Sequence, residues 1–163
     1  MHDFALWIKG TDLSWVVTHY TWVWATSEVL HFVGLSLLFG CIGVLDLRVL
    51  GLWKQPPVAG VNSLMRWGML GFLINAVTGA LFVVGEPLQY VDNPAFFWKM
   101  LFIFLAGWNV AIFYLTGVAH QIESLEEDDE APMSAKAIAG ASLFLWIGVM
   151  FFGRMLPFLG QSF

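Results

Sequence analysis

The chain predicts an all-α integral membrane protein: an antiparallel four-helix transmembrane bundle with a short N-terminal interfacial helix. Three observations carry this expectation. Of the 163 residues, 59% are apolar and only 12% are charged, about half the charged share of an average soluble domain. Four apolar stretches, at 22–44, 64–84, 95–118 and 135–156, each reach the roughly 20 residues that cross a ~30 Å hydrocarbon core as a helix. The segments between them are short, so residues 1–163 form one domain with no room for a separate soluble catalytic unit.

The elements follow in chain order. Met1–Ser14 sets Phe4, Leu6, Trp7 and Ile8 beside Asp3 and Lys9, the pattern of a short helix lying on a membrane surface. The first 20 residues lack a basic start. No cleavable signal peptide is therefore expected, and the first span is expected to act as its own insertion signal. That span, Trp22–Val44, holds the single cysteine, Cys41, which reads as a small packing residue and excludes an internal disulfide or thiolate cluster. The second span, Leu64–Val84, carries Asn75. The loop Glu86–Pro94, with two prolines, reads as an ordered turn. The third span, Ala95–Val118, opens with Lys99 and carries Asn109. The run Glu123–Glu130 (ESLEEDDE) reads as a solvated acidic loop, or as a docking surface for a basic partner. The fourth span, Ala135–Leu156, ends at Arg154 and its neighbours. Ser36–Gly40, Gly68–Gly71 and Ala76–Ala80 are small-residue pairs expected to let helices approach closely in lipid.

Basic residues predict the orientation. Arg48, Lys54 and Arg66 flank the first connection and Lys136 closes the third, whereas Lys9 alone marks the other side. Cytoplasmic loops are the basic ones. Both termini are therefore expected outside a bacterial inner (cytoplasmic) membrane, with Trp15, Trp22, Trp24 and Trp98 in an outer aromatic belt and Trp53 and Trp67 in an inner one. The net charge of -5 argues against nucleic-acid binding. The expected partners are the lipid bilayer and another membrane protein or a second copy of the chain.

If the spans alternate in direction, Glu28, His31, Lys99 and Arg154 share the outer half of the membrane. Glu28 and His31 are three apart and so share a helix face, roughly 9–14 Å below the outer surface at 1.5 Å per residue. An isolated charge at bilayer depth costs about 2.5–3.5 kcal/mol, so four such residues at one level point to a site. Three readings compete. In the first, Glu28 pairs with Arg154 or Lys99 and the group only locks the bundle. In the second, His31 is an axial ligand of haem b, with Lys99 and Arg154 neutralising propionates and Glu28 orienting His31. In the third, Glu28 and His31 bind a single metal ion or a proton. Glu-x-x-His is half of a di-iron carboxylate motif, but no second copy exists. The haem reading lacks an obvious second ligand: His2, His19 and His120 lie outside the spans, leaving Lys99, Met150, Met155 or a five-coordinate iron. The seven methionines invite copper but are scattered, and core packing accounts for them better.

Several stretches resemble a group of uncharacterised bacterial four-helix membrane proteins. They are E-x-L-H-F-x-G-L-x-L-L-x-G at Glu28–Gly40, D-L-R-x-L-G at Asp46–Gly51, N-P-A-F-F-W-K-M from Asn93, the Asn109–Phe113 pair, and S-L-F-L-W…G-R at Ser142–Arg154. That resemblance implies the fold and no activity. More distantly, His31 in the first span and Lys99 opening a later one look like copper-resistance D proteins and HemJ-type membrane protoporphyrinogen oxidases. The latter are associated with haem b, so the resemblance favours the haem reading. The remaining HemJ-type motifs are missing, and the oxidase activity is not implied. The expected function is thus a small haem-b-binding or redox-associated membrane protein, a subunit of a larger membrane complex. The alternatives are a non-catalytic accessory subunit with a buried polar cluster, and a small copper or proton transport-like protein.

Overall fold

The computed structural model describes residues 2–53, 61–123 and 129–160, and among them every regular element is a helix. Lys54 and residues 124–128 of the acidic run lie outside this set. Four helices are long and apolar enough to cross a membrane: α3 (Thr21–Val49), α4 (Val61–Gly85), α6 (Pro94–Leu115) and α8 (Met133–Leu159). The short ones are α1 (His2–Lys9), α2 (Asp12–His19), α5 (Pro87–Val91) and α7 (Val118–Glu123).

Local chemistry sets the boundaries. The Thr11 side chain caps α2 by accepting from the Ser14 N–H. Asn93 caps α6: its Oδ1 accepts from Ala95 N at 2.9 Å, and Pro94 occupies the first turn, where no N–H is needed. The helix α6 stops at Leu115, short of the expected Val118, because Gly117 adopts a left-handed conformation (φ 74°) that turns the chain into α7. In contrast, α3 outruns its expected end at Val44. Its last turns bury Leu45, Asp46, Arg48 and Val49, so packing prolongs a helix that hydropathy alone would stop. The expected turn at Glu86–Pro94 contains α5, started by Pro87.

The long helices pack as two pairs, α3 on α4 and α6 on α8, and α3 also lies against α8. Contacts within each pair run in opposite register. Trp24 meets Phe82, His31 meets Thr78 and Gly68 faces Cys41. Likewise Trp98 stacks on Phe152, while Asn109 reaches Ile138. The backbones of α3 and α4 approach closely at Gly34 and Gly71: a Cβ on Gly71 would stand 2.7 Å from the Gly34 carbonyl oxygen. The expected pairs Ser36–Gly40 and Ala76–Ala80 do not mark contacts. Ser36, Ala76 and Ala80 are exposed, and nothing lies within 4 Å of a Cβ built on Gly40. Four-residue spacing of small side chains permits approach, but the crossing point is chosen by the partner helix.

Two buried clusters join the pairs. One, with Leu38, Ala106, Trp146 and Val149, lies midway along the helices. The other, with Leu45, Val49, Phe113, Val118, Ile122 and Ala139, lies at the end away from α1 and α2. Large side chains such as Phe32, Phe104, Trp108 and Phe151 stay more than half exposed in mid-helix, which is compatible with contact to a lipid bilayer.

The N-terminal segment departs from expectation. It is two helices rather than one, and they dock on the protein. Ala5, Ser14 and Val17 are buried. The Ser14 hydroxyl donates to the Gly85 carbonyl at 3.5 Å, Lys9 pairs with Glu86 at 3.4 Å, and α1 packs on α5. These residues form a lid over one end of α3 and α4, referred to below as the capped end.

Candidate functional site

His31 sits half-buried on α3, facing α4, ten residues in from Thr21 and so about 15 Å along the helix. Its Nδ1 lies 2.7 Å from the Thr78 hydroxyl, and that hydroxyl is also 2.7 Å from the Ile74 carbonyl. A carbonyl only accepts, so the single hydroxyl proton of Thr78 goes to Ile74. Thr78 must then accept from His31, which fixes the proton on Nδ1 and leaves a lone pair on Nε2. Phe82 packs on the ring at 5.4 Å between centroids. The imidazole is thereby held in one tautomer and one orientation, as ligating histidines are. The expected partner was a carboxylate, carbonyl or water; a threonine hydroxyl takes that place.

Lys99, on α6, is close enough for its charge to bear on His31. Its side chain runs beside Gly153 of α8, 3.8–3.9 Å from where a Cβ would stand. Of the four predicted site residues, His31 and Lys99 are the half-buried ones. Glu28 and Arg154 do not join them. Both are exposed. Glu28 accepts from the Trp24 indole N–H at 3.1 Å, and Arg154 lies over the Phe158 ring at 5.6 Å.

Among the described residues, the ion pair expected between Glu28 and Arg154 or Lys99 is not formed. The physical reason is position: one turn closer to the capped end than His31, Glu28 can turn outward toward the polar interface. Its charge reaches Tyr90 of α5 instead. Burial first, then Glu28 and Glu86, push the Tyr90 phenol above its ordinary range.

Several polar residues outside the expected set do structural or chemical work. Thr78, buried at 3% exposure, orients His31. Asn93 donates from Nδ2 to the Leu156 carbonyl at 2.9 Å, tying the start of α6 to the end of α8. Asp46 and Ser142 are both buried. An aspartate within a longer apolar run was the available signal for Asp46. The expected first span ends at Val44 and leaves Asp46 outside it, whereas α3 continues to Val49. A lone threonine in an apolar helix carries no such signal. Asn75 and Asn109 lie where expected in mid-span, donating to the Gly71 and Ile138 carbonyls at 2.9 and 3.2 Å.

No group of three or more His, Cys, Asp or Glu side chains gathers at one point among the described residues. No family model, curated protein or solved structure matches the chain.

Proposed function

We propose that the chain is a multi-pass protein of the bacterial inner membrane whose four long helices form an antiparallel bundle, with both termini outside. In this reading it binds haem b through His31 and serves electron transfer within a larger membrane complex. The observation that supports it is the fixed tautomer of His31. Thr78 holds Nδ1–H, and Nε2 keeps a lone pair for iron.

The residues present fit such a group in part. His31 would hold the iron, and Lys99, close enough to act on His31 electrostatically, would neutralise a propionate. Glu28 and Arg154 turn away, so their assignment to the cofactor is weaker than that of Lys99. Bound haem b would supply one-electron transfer. The chain would orient the imidazole, place a positive charge beside it, and exclude water with Phe82 and Trp24. The link to the copper-resistance D and HemJ-type proteins remains part of this proposal.

A second reading has its own support. Glu28, His31 and Asn93 each find a hydrogen-bond partner within the fold, which is what a polar lock in an accessory subunit needs. The absorption spectrum of protein purified from its native membrane separates the two. The haem reading expects a Soret band that His31→Ala abolishes while the far-ultraviolet helical signal is kept. Native protein with no chromophore would leave the accessory-subunit reading.

A further inference from the structure

Fifteen residues beyond His31, about 22 Å along α3, the opposite end of the bundle encloses a cavity of about 40 Å³. Residues of all four long helices line it, Leu45, Met65, Phe113 and Ala139 among them. Most of its wall is apolar. Its polar groups are Asp46 of α3, Asn109 of α6 and Ser142 of α8.

Asp46 is only 5% exposed. Ser142 hydrogen-bonds its carboxyl through the side chain, yet Oδ2 is buried with no partner. Asn109 spends Nδ2 on the Ile138 carbonyl, which leaves its Oδ1 as an acceptor. The cavity thus offers oxygen atoms from three helices; the Ser142 hydroxyl donates to the Asp46 carboxyl, and Asp46 Oδ2 is left with no donor. The cavity's volume exceeds the ~10–15 Å³ that a single water needs, so a water or a small ion fits.

Charge decides what belongs there. A carboxylate at membrane depth needs a counter-charge. Neither ion pair described between residues, Lys9–Glu86 or Lys136–Glu130, involves Asp46. Arg48 is two residues on, roughly 200° around the helix, and does not line the cavity. Carboxylate, hydroxyl and amide oxygens suit a small hard cation rather than a soft one. We propose that this cavity is a binding site for one sodium ion, ligated by Asp46 Oδ2, Ser142 Oγ and Asn109 Oδ1. The ion neutralises Asp46 and ties α3, α6 and α8 together at this end. The site is separate from His31 and does not depend on the haem reading.

The test is thermal unfolding of the full chain in detergent, with sodium chloride titrated against choline chloride at constant ionic strength. At ten times its dissociation constant, sodium should raise Tm by about 3–6 °C. Asp46→Asn should flatten the response. Ser142→Ala should move its midpoint about tenfold higher and decides the matter if Asp46→Asn does not fold. Equal Tm in both salts would overturn the site and leave a buried water as the occupant. A Tm that rises on acidification alike in both salts would overturn it in favour of a protonated carboxyl. A sodium response that survives both substitutions would place the ion elsewhere and equally defeat the proposal.

Discussion

The capped end and the opposite end of the bundle solve the same problem in different ways. Both bury polar side chains among apolar helices. At the capped end polar side chains find protein partners: the His31 Nδ1–H donates to Thr78, Trp24 donates to Glu28, and α1 and α2 shield the helix ends. At the other end a large buried hydrophobic cluster surrounds the cavity, and Asp46 Oδ2 is left without a partner. Tight packing and polar satisfaction are therefore distinct achievements. A region with a large buried cluster can hold a carboxylate oxygen that no protein group serves, whereas His31 Nδ1 and Glu28 each find a protein partner.

The comparison breaks most sharply at the helix contacts. Gly71→Ala should destabilise the protein by about 1–3 kcal/mol. Its new Cβ would stand 2.7 Å from both the Gly34 carbonyl oxygen and the Leu38 amide nitrogen, and backbone atoms cannot step aside. Gly40→Ala, with nothing within 4 Å, should be neutral or gain up to ~1 kcal/mol from helix propensity. Equal melting temperatures for the two variants in detergent would remove the claim that α3 and α4 cross at Gly34 and Gly71.

The next effect sharpens the difference in chemistry between the ends. Thr78→Val keeps the side-chain shape but deprives His31 Nδ1–H of its acceptor. On the haem reading, retention should fall about 10–100-fold, measured by transfer to an excess of a competing haem-binding protein. Asp46→Asn should leave the Soret band unchanged. A loss of similar size in both variants would mean that the ends are coupled.

Smaller again is Asn93→Ala. It removes both the cap of α6 and the bond to Leu156, and should cost about 1–2 kcal/mol by chemical or thermal unfolding. Asn93→Asp keeps an acceptor for the cap but loses the Nδ2 donor, and should fall between alanine and the native residue. The least effect is expected from Lys9→Ala. The pair with Glu86 is nearly half exposed, so its loss should stay within ~1 kcal/mol. A larger change would show that the lid of α1 and α2 matters more to stability than its ion pair suggests.

Much of the architecture was legible in the chain itself. Four runs of about 20 apolar residues identify four membrane-length helices, because hydropathy and helical rise are properties of single segments. The third span, expected from Ala95, begins one residue earlier at Pro94. The half-buried place of His31 in its helix could also be expected, since a lone imidazole in an apolar span seeks a partner. Tertiary structure decided the rest. Gly71 belongs to an expected pair, but the choice of Gly34 over Ser36 and Gly40 as its partner on α3 depends on where two helices cross. The docking of α1 and α2, the turn of Glu28 toward Trp24, and the meeting of Asp46 with Ser142 and Asn109 each depend on the register between helices. Hydropathy constrains that register weakly, because in lipid any apolar face can face outward. Which polar atoms find partners, and which one does not, is settled only when the helices are set side by side.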